Sequence, residues 1–70
     1  MDSLFSLYWW DPQGNQHIEL KHVDDLDVLK SAWGRLTSGP AAQLGVVRRV
    51  IITDATDSIA LEYKSPIHLQ

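Results

Sequence analysis

The chain has 70 residues, with six basic against nine acidic side chains, a formal net charge of −3 and no cysteine. One domain of this size buries roughly 60% of its unfolded surface, and its margin of stability is small enough that a second copy or a partner would help. The charge balance lacks the basic stripe of a nucleic-acid binder, and the absence of cysteine rules out disulfides and thiolate metal sites and fits a reducing compartment.

Residues 4–10 are short and aromatic-rich, which suits a strand. "DPQGN" follows as a turn: Asp and Pro open turns, and Gly14 accepts a positive φ. "QHIELKHV", residues 16–23, alternates Ile18 and Leu20 with His17, Glu19 and Lys21, the pattern of a half-buried strand closing a hairpin. A four-residue loop, Pro12 to Asn15, pairs Asp11 with Gln16, Trp9 with Ile18 and Leu7 with Leu20. Phe5, Leu7, Trp9, Ile18 and Leu20 then share the core face, and Tyr8, Trp10, His17 and Glu19 share the other. A three-residue loop with a bulge at Gly14 shifts the pairing by one, turning Tyr8 inward and Trp9 outward. The four-residue register separates apolar from polar side chains better and is the one expected.

"VDDLDVLKSAWGRLTSGP" carries the marks of a helix. Asp24 is the expected N-cap, with Asp27 at N3 as a variant capping box and Val23 and Val28 as a hydrophobic staple. Leu26, Leu29, Trp33 and Leu36 follow at helical spacing, so one stripe faces a core. Three aspartates suit the positive end of the helix dipole. Gly34 weakens the last turn by up to ~1 kcal/mol relative to Ala, and Ser38, Gly39 and Pro40 end the helix.

"AAQLG" is a connector with room for one short turn. "VVRRVIIT", residues 46–53, is β-branched and reads as a strand; "DATD" is a turn; "SIALEYK", residues 58–64, alternates as a second strand. Pairing Thr53 with Ser58 sets Ile52 opposite Ile59, Val50 opposite Leu61 and Arg49 opposite Glu62, an attractive cross-strand pair. Residues 1–64 therefore make a single α+β domain, ββαββ, a four-stranded antiparallel sheet with one α-helix packed on one face. Residues 65–70 are a C-terminal tail with Pro66 as a breaker. The expected core is Phe5, Leu7, Trp9, Ile18, Leu20, Leu26, Leu29, Trp33, Leu36, Val50, Ile52, Ile59 and Leu61.

One amphipathic helix covers only one face of such a sheet. The other face should carry Tyr8, Trp10, His17, Glu19, Val47, Arg49, Ile51, Ala60 and Glu62. Exposed apolar patches of several hundred Å² mark contact surfaces, and Trp, Tyr and Arg are enriched at interface hot spots. Tyr8, Trp10, His17, Arg49, Ile51 and Glu62 are the candidate protein-binding residues. The plainer reading is an ordinary solvated sheet face, since single exposed aromatics need no explanation. A homodimer stacking two such faces, or Ile67 and Leu69 of the tail folding back, would also satisfy the patch.

Catalytic, cofactor and metal constellations are not expected. His17 and His22 stand at odd separation on one strand and point to opposite faces, and His68 is in the tail. Asp24 and Asp27 suit capping, and Asp54 and Asp57 suit a turn. Neither acidic stretch has the ligand pattern of an EF-hand. No nucleophile elbow, phosphate-binding loop or dinucleotide fingerprint occurs, so the expectation is a non-enzyme without cofactor. No apolar run approaches the roughly 18 residues of a membrane span. The acidic start "MDSLFSLYWW" is unlike a signal peptide, which places the protein in the cytoplasm.

The segments "LYWWDPQGN", "DDLDVLKSAWGRL" and "RRVIITDATDSIALEYK" together resemble small phage- and prophage-encoded hairpin–helix–hairpin proteins of the anti-CRISPR or small-inhibitor type. The layout covers most of the chain. The resemblance implies a small, acidic, catalytically inert inhibitor that blocks a host complex by occupying a surface, and it carries over no site residues. The capped helix is also similar to that of toxin-immunity proteins.

Overall fold

The computed structural model describes residues 4–65. They form β1 (Phe5–Trp10), β2 (Gln16–Val23), α1 (Leu26–Ser38), α2 (Pro40–Gln43), β3 (Arg49–Thr53) and β4 (Ile59–Lys64). The strands make one antiparallel sheet in the order β2-β1-β3-β4, so the chain is an α+β protein in ββαββ order. Each hairpin pairs strands adjacent in sequence, and β3 lies on the other edge of β1, with Leu7 opposite Ile52, Tyr8 opposite Ile51, Trp9 opposite Val50 and Trp10 opposite Arg49. Because β2 and β3 are both antiparallel to β1, they run parallel to each other, and α1 is the crossover between them.

Both hairpins close over three residues rather than four. In the first, Asp11 N donates to Asn15 O (3.1 Å), Gly14 N donates to Asp11 O (3.0 Å), and Gly14 takes the positive φ of 87° that the third loop position requires. Trp10 therefore faces Gln16, Trp9 faces His17 and Tyr8 faces Ile18. A register shift between Leu7 and Tyr8 then restores the expected pairing of Leu7 with Leu20. The bulge lies in β2, so β1 keeps its faces while the tip of β2 changes sides. Ile18, expected in the core, is exposed as a result.

The second hairpin repeats the device in "DATDS". Asp54 N donates to Ser58 O and Asp57 N to Asp54 O, both at 3.0 Å, and Asp57 takes a φ of 63°. Its register differs by two residues from the expected one: Arg49 faces Lys64, Ile51 faces Glu62 and Ile52 faces Leu61. A displacement of two preserves the faces of Leu61 to Lys64, whereas Thr53 pairs with Ile59, displaced by one, across a register shift. Arg49 still reaches Glu62 on the diagonal, its Nε donating to Oε2 at 2.7 Å.

The N-cap of α1 is Asp25, one residue later than expected, although β2 ends at Val23 as expected. Asp25 Oδ1 accepts from Asp27 N (2.9 Å) and Val28 N (3.3 Å). The Val23–Val28 staple is lost: Val23 packs on the core and Val28 is exposed. Leu29, Ala32 and Leu36 of α1 meet Leu7, Val50 and Ile52 of the sheet, joined by Val47. Val47, expected on the opposite face, is 1% exposed; it precedes β3 and escapes the strand alternation. Leu26, Ile59 and Leu61, expected in the core, are exposed. The expectations for Ile67, His68 and Leu69 fall outside the described residues.

Candidate protein-interaction site

The open sheet face follows from alternation. Leu7 and Trp9 of β1 and Val50 and Ile52 of β3 point to α1, so their neighbours point away from it. Tyr8, Trp10, Arg49 and Ile51 are brought together there, Tyr8 across from Ile51 and Trp10 across from Arg49, with Glu62 across from Ile51 on β4. The Arg49 guanidinium lies over the Trp10 ring, Cζ 4.9 Å from its centroid, while its Nε holds Glu62. Trp10, Arg49 and Glu62 thus form a row of side chains fixed in place by a cation–π contact and an ion pair. Ile51, expected as a contact residue, is only 8% exposed and offers little surface of its own.

His17 does not join this group. Its ring stacks on Trp9 instead of Trp10, with centroids 4.1 Å apart and planes 14° from parallel, because the three-residue loop puts His17 opposite Trp9 on the side facing α1. Its Nε2 lies 2.9 Å from Asp11 Oδ2, clamping the hairpin tip. Glu19, expected on the open face, accepts instead from Arg35 of α1. Ala60 also leaves the open face, because the register shift between Ile52 and Thr53 turns it with Leu61 towards α1.

Among the described residues, the hairpin tips carry the two clearly perturbed carboxylates. Hydrogen bonding to the His17 side chain is the largest influence holding Asp11 below the usual 3.8, followed by the Asn15 amide. Asp54 is also lowered, first by the Thr56 hydroxyl and then by the Thr56 and Ser58 amides. A carboxyl whose folded pKa is depressed stabilises the fold above its unfolded pKa, and that contribution is lost as pH falls through the folded value. Both tips should therefore loosen together only below pH 3.8. The amide resonances of Gln13, Asn15, Thr56 and Ser58, followed in an acid titration, check this, and a midpoint at or above 3.8 would contradict it.

Sequence reasoning missed a second apolar surface, a groove of about 270 Å³ between α1 and β4. Phe5 and Ile52 contribute from the sheet, Leu26 and Trp33 from the helix, and Ala60 and Leu61 from the edge strand. Leu26 is 53% and Leu61 48% exposed. Geometry explains the groove. A helix about 10 Å wide shades two to three strands spaced about 4.8 Å apart, and α1 lies over β1, β2 and β3. The strand left over is β4. The helix-to-sheet width ratio, available from the count of elements, is the signal that predicts such a gap.

Among the described residues, no group of three or more His, Cys, Asp or Glu could hold a metal ion. No buried side-chain nitrogen or oxygen there lacks a hydrogen-bond partner. No helix of the described residues is long and apolar enough to cross a membrane. Comparisons with family models, curated proteins and solved structures return no match, so the reading of these surfaces rests on their chemistry.

Proposed function

We propose that the chain is a non-enzymatic protein-binding module of the cytoplasm, a small inhibitor that acts by covering a surface of its partner. The observation that carries this reading is the Trp10–Arg49–Glu62 row on the sheet face turned away from α1. Trp and Arg dominate interface hot spots. Side chains already held in one conformation lose less entropy on docking than free ones. Trp10 offers a flat apolar anchor, and Arg49 retains donors beyond the one used on Glu62. A fitting partner would present an apolar pocket flanked by an acceptor. Tyr8 supplies the apolar surround, and no bond needs to be made or broken.

Trp10→Ala should weaken partner binding by ~2 kcal/mol or more, about thirtyfold, if Trp10 is the central anchor. The check is capture from a lysate of the native host with wild-type and Trp10→Ala baits, followed by titration of whatever the wild type retains. A variant that folds by circular dichroism and binds that protein as tightly as the wild type would remove Trp10, and with it this face, from the site.

A further inference from the structure

The two edges of the sheet are unlike. The outer edge of β2 is broken by register shifts between Phe5 and Leu7 and between Leu7 and Tyr8, and by His22 at a φ of 54°. Such irregularity blunts an edge against strand addition. β4 is different. After one shift near Thr53, residues Leu61, Glu62, Tyr63 and Lys64 pair without interruption, so they present a regular row of backbone donors and acceptors on the outer side. Lys64 also faces Arg49 directly, a like-charge cross-strand pair that is unfavourable, while Glu62 is bonded to Arg49.

We propose that β4 pairs antiparallel with β4 of a second copy, making an eight-stranded sheet. A two-fold axis normal to the sheet must pass midway between one residue and the same residue of the other copy, because side chains opposite each other across a ladder share a face. Axes through Glu62 or Lys64 set like charges together. An axis through Leu61 leaves Lys64 opposite Ser58. An axis through Tyr63 places each Glu62 across from a Lys64 of the other copy, with Tyr63 against Tyr63. That register alone gives Lys64 the acid that its own sheet denies it. The dimer sets two Trp10–Arg49–Glu62 rows on one continuous face, so it extends the proposed function without depending on it. Its test requires no partner.

Sedimentation equilibrium over a dilution series reads the outcome. The wild type should dimerise. Lys64→Glu relieves the clash with Arg49 inside each copy but opposes Glu62 of the other, so it should raise the dimer dissociation constant on the order of tenfold or more while the fold is retained. Lys21→Glu, with the same change in net charge on the opposite edge, should leave the dimer intact. The double exchange Glu62→Lys with Lys64→Glu should restore it. A wild type that is monomeric at all concentrations, or a dimer indifferent to Lys64→Glu, overturns the proposal.

Discussion

Leu7→Ala is expected to lower stability by about 3 kcal/mol, within the ~2–5 kcal/mol that buried leucine truncations lose through transfer and cavity terms. Leu7 is 0% exposed and sits in the middle strand of the sheet, between Leu20 of β2 and Ile52 of β3 and beneath α1. Three different elements close on that one side chain, so none can relax into the void without disturbing the others. A 70-residue domain has a total stability of roughly 3.5–10 kcal/mol at ~0.05–0.15 kcal/mol per residue. The substitution therefore removes a large fraction of it. Urea unfolding checks the result. Leu26→Ala, at a position 53% exposed, serves as the contrast and should change stability by well under half as much. Equal losses at the two positions would mean that the core is not centred on Leu7.

Gly39→Ala is the second large effect. Gly39 has an ordinary backbone conformation, φ −79° and ψ −179°, so a left-handed requirement is not the reason for glycine here. Space is. A Cβ at this position would stand 2.3 Å from Arg35 O and 3.3 Å from Arg35 C. The same carbonyl accepts from Gly39 N at 3.1 Å, which draws the chain tightly against the end of α1 just before Pro40 begins α2. The obstacle is backbone, so a side-chain rotation cannot relieve it. The last turn of α1 or the start of α2 must move, with a loss of ~1–3 kcal/mol or more. At about 4–8 °C per kcal/mol for a domain of this size, the melting temperature should fall by roughly 4–24 °C. Gly34→Ala, where a Cβ meets nothing within 4 Å, should instead be neutral or raise it. A thermal scan of both variants decides the point, and an unchanged Gly39→Ala would show that the α1–α2 junction yields freely.

The elements and fold class were legible because their signals are local: apolar periodicity for α1, β-branched and aromatic runs for the strands, and Gly, Pro and Asp at the turns. Boundaries were less so where neighbours compete. Asp24 and Asp25 can both cap a helix, and it is Asp25 whose carboxylate takes the Asp27 and Val28 amides. The first register was split: the four-residue pairing holds at Leu7 with Leu20, the three-residue pairing holds at the tip without turning Tyr8 inward or Trp9 outward, and a bulge in β2 joins them. That single extra residue moved Ile18 out of the core and His17 to Trp9, and no pattern of alternation could have announced it. Tyr8, Trp10, Arg49, Ile51 and Glu62 were grouped correctly because a displacement of two residues in the second hairpin leaves faces unchanged. Strand order and the α1–β4 groove depend on how distant segments dock. Periodicity reports which way Leu26 and Leu61 point, but not whether anything lies above them.

The position of β1 between β2 and β3 has a consequence for biosynthesis. Trp10 of β1 meets Arg49 of β3 across ~40 residues of chain, so at roughly 5–20 residues per second a ribosome delivers that neighbour about two to eight seconds late. Through this interval the nascent N-terminal half has a strand ready on one flank and vacant on the other, in a crowded setting where such vacancies recruit the wrong chain. Translation speed through the middle of the message, over the codons for α1 and α2, thereby sets how long the half-built sheet must wait.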